Sequence, residues 1–587
     1  MRDKTERAWY SSRMLRVAAI LLAAALCAAG PPGLALAAQP ATDDCAGSDG
    51  GLLLPPGFCA TVFADNLGHA RHLVVAPDGV VYVNTWSGAY YRTKPPPGGF
   101  VIALKDTKGD GHADLVRRFG DGVAQGSAGG TGIAIYNNAL YVEQNDKILR
   151  YRLKAGSPVP SGAPAVVVSG LPLTGDHPMH PFVIDANGKL FVDVASATNA
   201  CDVHNRMPLS PGHDPCTELQ TRGGIWRYDA TRLNQKFSAA QRYATGIRNG
   251  EGMSFDSAGR MYVTQHGRDQ LAENWQDRYT PEQGHELPAE EVLLLEAGAD
   301  YGWPKCYFDG LQQRLVLAPE YGGDGGHAIG VCAQKRGPVA FFPAHWAPDD
   351  LVIYNGAQFP APYHGGAFIA FHGSWNRAPS PQAGYNVAFL PLADGHAAGN
   401  YIVFADGFAG AEKAPGRAEF RPTGLAVAPD GALFVSDDER GRIWRITWRG
   451  GAGAAANTLV SARIPPAGDG QHDARRPLDS LPLAPGVTRE QLALGDRVFH
   501  GEAAGGTCSG CHASDGKGTI VGADLTTGHW LWSDGSPAAI ARTIAQGVAT
   551  PKVSFGAMPP LGGAQLSTED VTAVAAYVWA IGHRKAP

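Results

Sequence analysis

Leu73-Val-Val-Ala-Pro-Asp-Gly-Val-Val-Tyr-Val83 spells a strand, a tight turn and a second strand in one short phrase. Asp-Gly tolerates the positive φ of a two-residue hairpin turn, and the flanking alternation buries one face of the strands it joins. The phrase returns as Gly132-Ile-Ala-Ile-Tyr-Asn-Asn-Ala-Leu-Tyr-Val142, as Phe182-Val-Ile-Asp-Ala-Asn-Gly-Lys-Leu-Phe-Val192 and as Met253-Ser-Phe-Asp-Ser-Ala-Gly-Arg-Met-Tyr-Val263. The last copy is Leu425-Ala-Val-Ala-Pro-Asp-Gly-Ala-Leu-Phe-Val435, and a looser one runs from Gly366 through Ala370 to Phe389. Further strands close several copies, as in Lys147-Ile-Leu-Arg-Tyr-Arg152, Gly224-Ile-Trp-Arg-Tyr228 and Gly441-Arg-Ile-Trp-Arg-Ile446. Six repeats of about four strands each predict an all-β six-bladed β-propeller, with a sandwich or a β-helix as the competing arrangement.

The repeats occupy only part of the 587 residues, a length that favours more than one domain. Charged residues make up 18% of the chain and the formal net charge is −6, so there is no basic excess to favour nucleic acid as a partner. At the N-terminus Arg2, Lys4, Arg7, Arg13 and Arg16 precede an apolar run from Val17 to Ala29, and Ala35-Leu36-Ala37 offers a small-x-small cleavage site. Residues 1–38 therefore read as a secretory signal, too short in its apolar run to remain as a membrane anchor. The expected location is periplasmic or secreted. Cys27 lies in that segment, which leaves Cys45, Cys59, Cys201, Cys216, Cys306 and Cys332 outside the motif described next. An even set in an exported chain favours disulfides, and proximity suggests Cys45 with Cys59, Cys201 with Cys216 and Cys306 with Cys332.

Beyond the last repeat, residues 449–487 turn rich in Gly, Ala and Pro and read as a linker between a propeller at 39–448 and a small domain at 488–587. That domain carries Cys508-Ser509-Gly510-Cys511-His512, the form in which haem c is attached covalently, with thioethers from Cys508 and Cys511 and one axial nitrogen from His512. Helical periodicity appears over Arg489 to His500, and Ser567-Thr-Glu-Asp570 reads as a cap for a final helix through Val571, Val574, Ala575 and Val578. Met558, in Gly556-Ala-Met-Pro-Pro560, is the candidate second iron ligand, and a thioether there raises the potential and suits the haem to accept electrons. The stretch from His529-Trp-Leu-Trp532 through Ile544 to Met558 resembles the loop of monohaem class I cytochromes c.

A haem that passes single electrons needs a source, and Gly175-Asp-His-Pro-Met-His180 places two imidazoles and a carboxylate on a loop ahead of the third repeat. Histidine is the usual proton acceptor near neutral pH, and Asp176 stands where it can orient His177. Asp176-His177, Gly246-Ile-Arg-Asn249, Gln265-His-Gly267 and Tyr301-Gly-Trp-Pro304 follow the order found in soluble quinoprotein sugar dehydrogenases. Ala344-His-Trp-Ala-Pro348 and His372-Gly-Ser-Trp-Asn-Arg377 resemble the sorbosone or pyranose dehydrogenase branch. That resemblance, over about Cys59 to Trp448, implies a six-bladed propeller binding pyrroloquinoline quinone (PQQ) and calcium (Ca2+). It implies His177 as general base, Asp176 as its orienting partner, and Arg248 as the group stabilising charge on the quinone. Arg248, Asn249, Arg421, Arg377 and Gln125 are the implied quinone contacts, and the backbone carbonyls of Gly267 and Arg268 the implied calcium ligands.

The departures are as informative. Thr423 stands where glucose-oxidising members carry a second arginine, and the family's lysine is replaced within Trp375-Asn376-Arg377. For His180, His345 and His372 both a structural role and a site role remain open. Asp106-Thr-Lys-Gly-Asp-Gly111 resembles the start of a calcium loop but has Lys108 at a ligand position, and reads as a surface turn. The reading that results is an exported dehydrogenase of a sugar or a related alcohol or aldehyde. It passes electrons from PQQ to haem c and on to an external acceptor such as another cytochrome, a copper protein or a terminal oxidase. The alternatives are a lactonase or a binding module, with the cytochrome as an independent carrier.

Overall fold

A computed structural model describes residues 45, 50–86, 97–121, 130–377, 380–450, 459, 478–506, 508–513, 515–518, 522–553 and 557–584. The signal expected at 1–38, Gln125 and most of the expected linker lie outside the described residues. Residues 43–587 form one compact unit.

Five of the hairpin phrases become the first two strands of a blade, with turn residues at positive φ, as at Gly79 (81°), Asn138 (55°) and Gly431 (86°). Blade one is Ala70–Val75, Val81–Thr85, Val101–Lys105 and Leu115–Phe119. Blade two is Ile133–Tyr136, Ala139–Gln144, Lys147–Arg152 and Ala165–Ser169, with Gln235–Lys236 added in parallel at its outer edge. Blade three is Phe182–Ile184, Lys189–Val194, Gly224–Asp229 and Arg242–Thr245, and blade four Met253–Phe255, Met261–Gln265, Glu290–Leu295 and Ala340–Phe342. Blade five is Pro348–Ile353, Ala367–Phe371, Asn386–Leu390 and Ile402–Ala405. Its inner hairpin has a long connection instead of an Asp-Gly turn, so the loose copy at 366–389 corresponds to its second and third strands. Blade six takes Pro422–Val427, Leu433–Asp437 and Ile443–Trp448 from the end of the propeller and Phe58–Ala64 from its beginning.

That last pairing, in register from Phe58 opposite Trp448, closes the ring. Phe58 anchors it in a knot of rings, 4.8 Å from Phe359, 4.9 Å from Phe404 and 4.8 Å from Trp448. Burying one such side chain contributes about 1.5–3 kcal/mol. The three disulfides pair as proximity suggested: Cys45–Cys59 on the closing strand, Cys201–Cys216, and Cys306–Cys332 on a hairpin inserted in blade four.

First strands of neighbouring blades touch one another and line the central channel. Since strands one and two of a blade are antiparallel, the loop entering the first and the loop leaving the second open on the same face. Every described propeller loop carrying an expected site residue opens there.

The C-terminal domain packs helices Arg489–Phe499, Pro537–Gln546 and Thr568–Gly582 around Leu492, Phe499, Ile544, Val574 and Val578. Capping boxes Thr488/Gln491 and Ser567/Asp570 start the first and last. These two helices cross at Gly495, where a Cβ would lie 2.0 Å from the carbonyl of Ala573. The stretch likened to a loop contains the middle helix, which Ser536 caps and Pro537 begins. Among the described residues no helix is long and apolar enough to cross a membrane.

Candidate functional site

The propeller's loop face holds a cavity of about 200 Å³ whose wall includes Asp176, His177, Arg248, Asn249, Gly267 and Arg421. Blades three, four and six thus bring together most of the expected site. Residues that sequence reasoning missed complete it, among them Arg71, Arg206, Asp269, Asp349 and Trp375.

His177 is buried, with Nδ1 3.0 Å from both the carbonyl and the hydroxyl of Ser196. A carbonyl only accepts, and the hydroxyl donates its own proton to the Thr198 carbonyl at 2.7 Å. Nδ1 therefore carries the hydrogen and Nε2 the lone pair. Burial and then Arg248 push the pKa of this ring well below its ordinary value, so it is neutral. The expected partner is corrected here. The carboxylate of Asp176 takes hydrogen bonds from Arg206 Nε at 2.9 Å and Asn205 Nδ2 at 3.1 Å, and the tautomer of His177 is set by Ser196. Side chains of adjacent residues diverge from the backbone, which is why neighbours in sequence serve different partners here.

Asp269 organises the same wall. Its Oδ2 lies 2.9 Å from both Arg206 and Arg248, and its Oδ1 accepts from Asn376 Nδ2 at 2.9 Å. Burial opposes its charge, but the two guanidinium groups hold it well below the usual carboxylate range. Arg248 also donates to the Asn199 carbonyl at 3.1 Å and to the Gly267 carbonyl at 3.0 Å.

On the floor of the cavity Arg71 pairs with Glu251 at 2.6 Å, Asp438 at 2.7 Å and Asp349 at 3.2 Å. Burial, and then Glu251, raises Asp349 well above its ordinary pKa, and burial raises Glu251, with Asp438 adding to the rise. Glu290, also buried in the wall, is pushed up to about 8. Arg421 differs from the other three arginines. Its guanidinium donates to the carbonyls of His372 at 3.0 Å and Gly373 at 2.7 Å and lies over the ring of Tyr385. Among the described residues no carboxylate lies within ion-pair distance of it.

Other expectations resolve differently. Arg377 turns out of the cavity to donate to the carbonyls of His285 and Ala344 and to Glu286, and Trp375 and Asn376 take the wall position instead. The side chain of Arg268 pairs with Glu320, which leaves open only the expected role of its backbone carbonyl. His180 is structural: its ring lies between Glu143 and the Pro172 carbonyl. His345 and His372 do reach the cavity, the latter 2.7 Å from Asp438. Asp106 gathers backbone N–H groups of Lys108, Gly109 and Gly111 in an exposed turn.

The quinone fits this wall on one count above all: the guanidinium of Arg421, half-buried and, among the described residues, without a carboxylate at ion-pair distance, is what a ligand carboxylate would pair with. The calcium seat expected at Gly267 and Arg268 fits less well, because the Gly267 carbonyl faces the Arg248 guanidinium, and no step is derived through that ion.

A second, apolar cavity in the C-terminal domain is lined by Cys508, Cys511, His512 and Met558 together with Phe499, Ile540 and Val574. His512 Nδ1 lies 2.8 Å from the carbonyl of Ala523, so this ring too keeps its lone pair on Nε2, the form that ligates iron. Met558 is pinned by a two-way backbone bridge to Val548. The two cysteines take no part in the disulfides, and the donor set fits a covalent haem.

The comparisons agree with both halves. Residues 52–449 match a family model described as TrAA12-like, and residues 493–578 one described as cytochrome C oxidase, cbb3-type, subunit III. Among curated proteins, an uncharacterized protein of Borreliella burgdorferi is 29% identical over 219 residues, 36% of this chain and 50% of that protein. A pyrroloquinoline quinone-dependent pyranose dehydrogenase of Coprinopsis cinerea is 28% identical over 237 residues, 34% of this chain and 30% of that one. The chain thus spans half or less of these relatives. Two solved structures share the fold: a calcium structure of Trichoderma reesei Carbohydrate-Active Enzymes Family AA12 (TM-score 0.54, 18% identity, 68% of this chain and 97% of that chain) and the holo PQQ domain of Coprinopsis cinerea pyranose dehydrogenase (0.51, 19%, 68% and 97%). Over its propeller the chain belongs to the TrAA12-like family, a PQQ-dependent sugar dehydrogenase-like domain, and it carries a cytochrome c domain fused behind it.

Proposed function

We propose that the protein is an exported dehydrogenase that oxidises a sugar or a related alcohol or aldehyde in the propeller cavity and passes the electrons singly through a covalent haem c. The observation that carries this reading is the neutral His177, held by Ser196 with its Nε2 lone pair on the wall of a cavity rich in arginine. PQQ, when bound, supplies the two-electron acceptor for a hydride. The chain's own residues do the rest. His177 Nε2 takes the proton of the substrate hydroxyl as the C–H bond gives up its hydride, and Ser196 keeps Nδ1 protonated throughout. Arg421 holds a ligand carboxylate. Arg248, steadied by Asp269 and Asn199, presents positive charge where negative charge develops. Because Arg248 also depresses the base, an anion bound in the cavity offsets that effect and raises His177 toward a useful pKa. In the small domain, Cys508 and Cys511 hold haem and His512 and Met558 ligate its iron. Calcium belongs to the cofactor set that the family resemblance implies, as does export.

The test is reconstitution of the haem-bearing protein with PQQ and calcium. Dye-linked oxidation should appear across a panel of aldoses, ketoses and sorbosone, and the haem spectrum should turn to the reduced form on adding substrate. Haem that stays oxidised across the whole panel would refute the reading. A lactonase or a docking propeller predicts that outcome.

A further inference from the structure

The haem-attachment helix Cys508–His512 does not face solvent on every side. Gly510 is buried in it, and what buries Gly510 is the propeller: a Cβ there would lie 2.6 Å from the backbone carbonyl of Trp375 and 3.5 Å from its ring. Trp375 lines the active-site cavity on its other side and is stacked under the Arg206 guanidinium, 5.9 Å from the ring centre. One residue thus touches both the cavity and the haem motif. The surrounding contacts keep this register. A Cβ on Gly416, next to the cavity residue Pro415, would meet Asp515 and Ala513 just past the haem motif. On the opposite side Gln276 donates to the Gly563 carbonyl at 2.5 Å and accepts from Gln565 at 3.4 Å, close behind Met558 in the chain. Gly563 itself has no room for a Cβ against Glu273. Both segments expected to ligate the iron therefore border the propeller.

We infer that the Gly510 face of the haem helix docks on Trp375 in a fixed register, and that Trp375 is the side chain across which electrons leave the cavity for the haem. The proposal rests on the dehydrogenase reading above and assigns its internal route. Each passage reduces one ferric haem to ferrous. The second electron of the substrate pair follows after a one-electron external acceptor has reoxidised the iron, and both protons of the oxidation end in solvent, the hydroxyl proton by way of His177. Gly510 is not needed to attach haem, which explains why this position, otherwise free in C-x-x-C-H, is a glycine: any side chain would separate the helix from Trp375.

The experiment uses the full-length, haem-bearing protein loaded with PQQ. Gly510→Glu should slow haem reduction, followed by absorbance after rapid mixing with sugar, by about tenfold or more, the scale of a misplaced reacting pair. Dye-linked turnover of the same variant should stay unchanged, because the dye takes electrons at the propeller. Hydrogen exchange read by mass spectrometry should rise at 372–377 and 408–416. If Gly510→Glu fails to bind haem, Gln276→Glu makes the same test from the other edge by setting a carboxylate against the Gly563 carbonyl. For Trp375 itself, Trp375→Phe should keep most of the transfer rate and Trp375→Leu lose it, with quinone affinity titrated separately in each. Wild-type haem reduction in the glutamate variants, unchanged exchange, or equal rates for Phe and Leu would overturn the inference. Absence of dye-linked turnover in the unmodified protein would strike the dehydrogenase reading instead, and the exchange measurement would still decide the docking.

Discussion

Arg71→Met is the sharpest perturbation of the cavity floor. The guanidinium sits in blade one and reaches Glu251 ahead of blade four, Asp349 in blade five and Asp438 just past the second strand of blade six, so one side chain ties four blades across the channel. All four side chains are buried. Removing one partner of a buried ionic group costs about 3–5 kcal/mol, because the remaining charges lose their compensation. The propeller spans residues 52–449, and unfolding entropy near 60 °C is about 2.1 cal/mol/K per residue, so such a loss lowers its Tm by about 4–6 °C. The pH dependence follows with a definite sign. Burial already raises Glu251 and Asp349, and an acid whose folded pKa lies above its unfolded value near 4 destabilises the native state as the pH climbs from that value. Arg71 opposes this rise, and without it the rise is larger. The difference in Tm between wild type and variant should therefore widen as the pH increases above about 4 and close as the pH falls back toward it. Calorimetry of the propeller transition at several pH values measures both. Adding Glu251→Gln to the variant should recover part of the loss, since the two sites share one network. A drop below about 1 °C at neutral pH, or a gap that does not shrink in acid, would refute the account of Arg71 as the compensating charge.

Three further outcomes follow from the geometry. His177→Gln should lower substrate turnover by about 10²–10⁴-fold while haem content and quinone affinity stay at wild-type values; retained turnover in a substrate-dependent assay would move the base elsewhere. Arg421→Met should weaken PQQ binding by roughly 10–150-fold, the value of a charge-assisted hydrogen bond of about 1.5–3 kcal/mol, and equilibrium titration of the quinone reads it directly. Gly495→Ala should destabilise the cytochrome domain by about 1–3 kcal/mol through the clash with the Ala573 carbonyl, seen as a lower denaturant midpoint of the haem band with an unchanged propeller transition.

How much of this was legible in sequence depended on distance along the chain. The hairpins could be read because turn and strands lie within one short phrase, and the disulfides because each pair is close, 14, 15 and 26 residues apart. The end helices of the cytochrome announce themselves through caps that span a single turn. Blade five is blurred for the same reason in reverse: its inner hairpin lacks the short turn that marks the others. The cavity is a different kind of object. Arg71 meets Asp438 across 367 residues and Arg206 meets Asp269 across 63, and no local pattern marks a charged residue as bound for the channel. Resemblance could place His177 and Arg248, but it paired His177 with its neighbour Asp176, and the ring is held by Ser196 in the loop that leaves the second strand of blade three. It named Arg377 where the fold presents Trp375.

That last exchange alters how the two domains relate. An arginine at the cavity wall would have been one more contact for an anionic cofactor, and the cytochrome could then be regarded as a carrier on a tether. With Trp375 there instead, the wall has an aromatic face toward the cavity and a backbone face against Gly510. In the proposed reading Arg421, ahead of blade six, holds the cofactor's carboxylate, which would free this position for contact with the haem helix. A position that departs from the family's lysine is thus accounted for by the domain that the chain carries behind its propeller, since a cation pressed against the haem motif would have to be desolvated without a partner, whereas an indole buries there at no such cost.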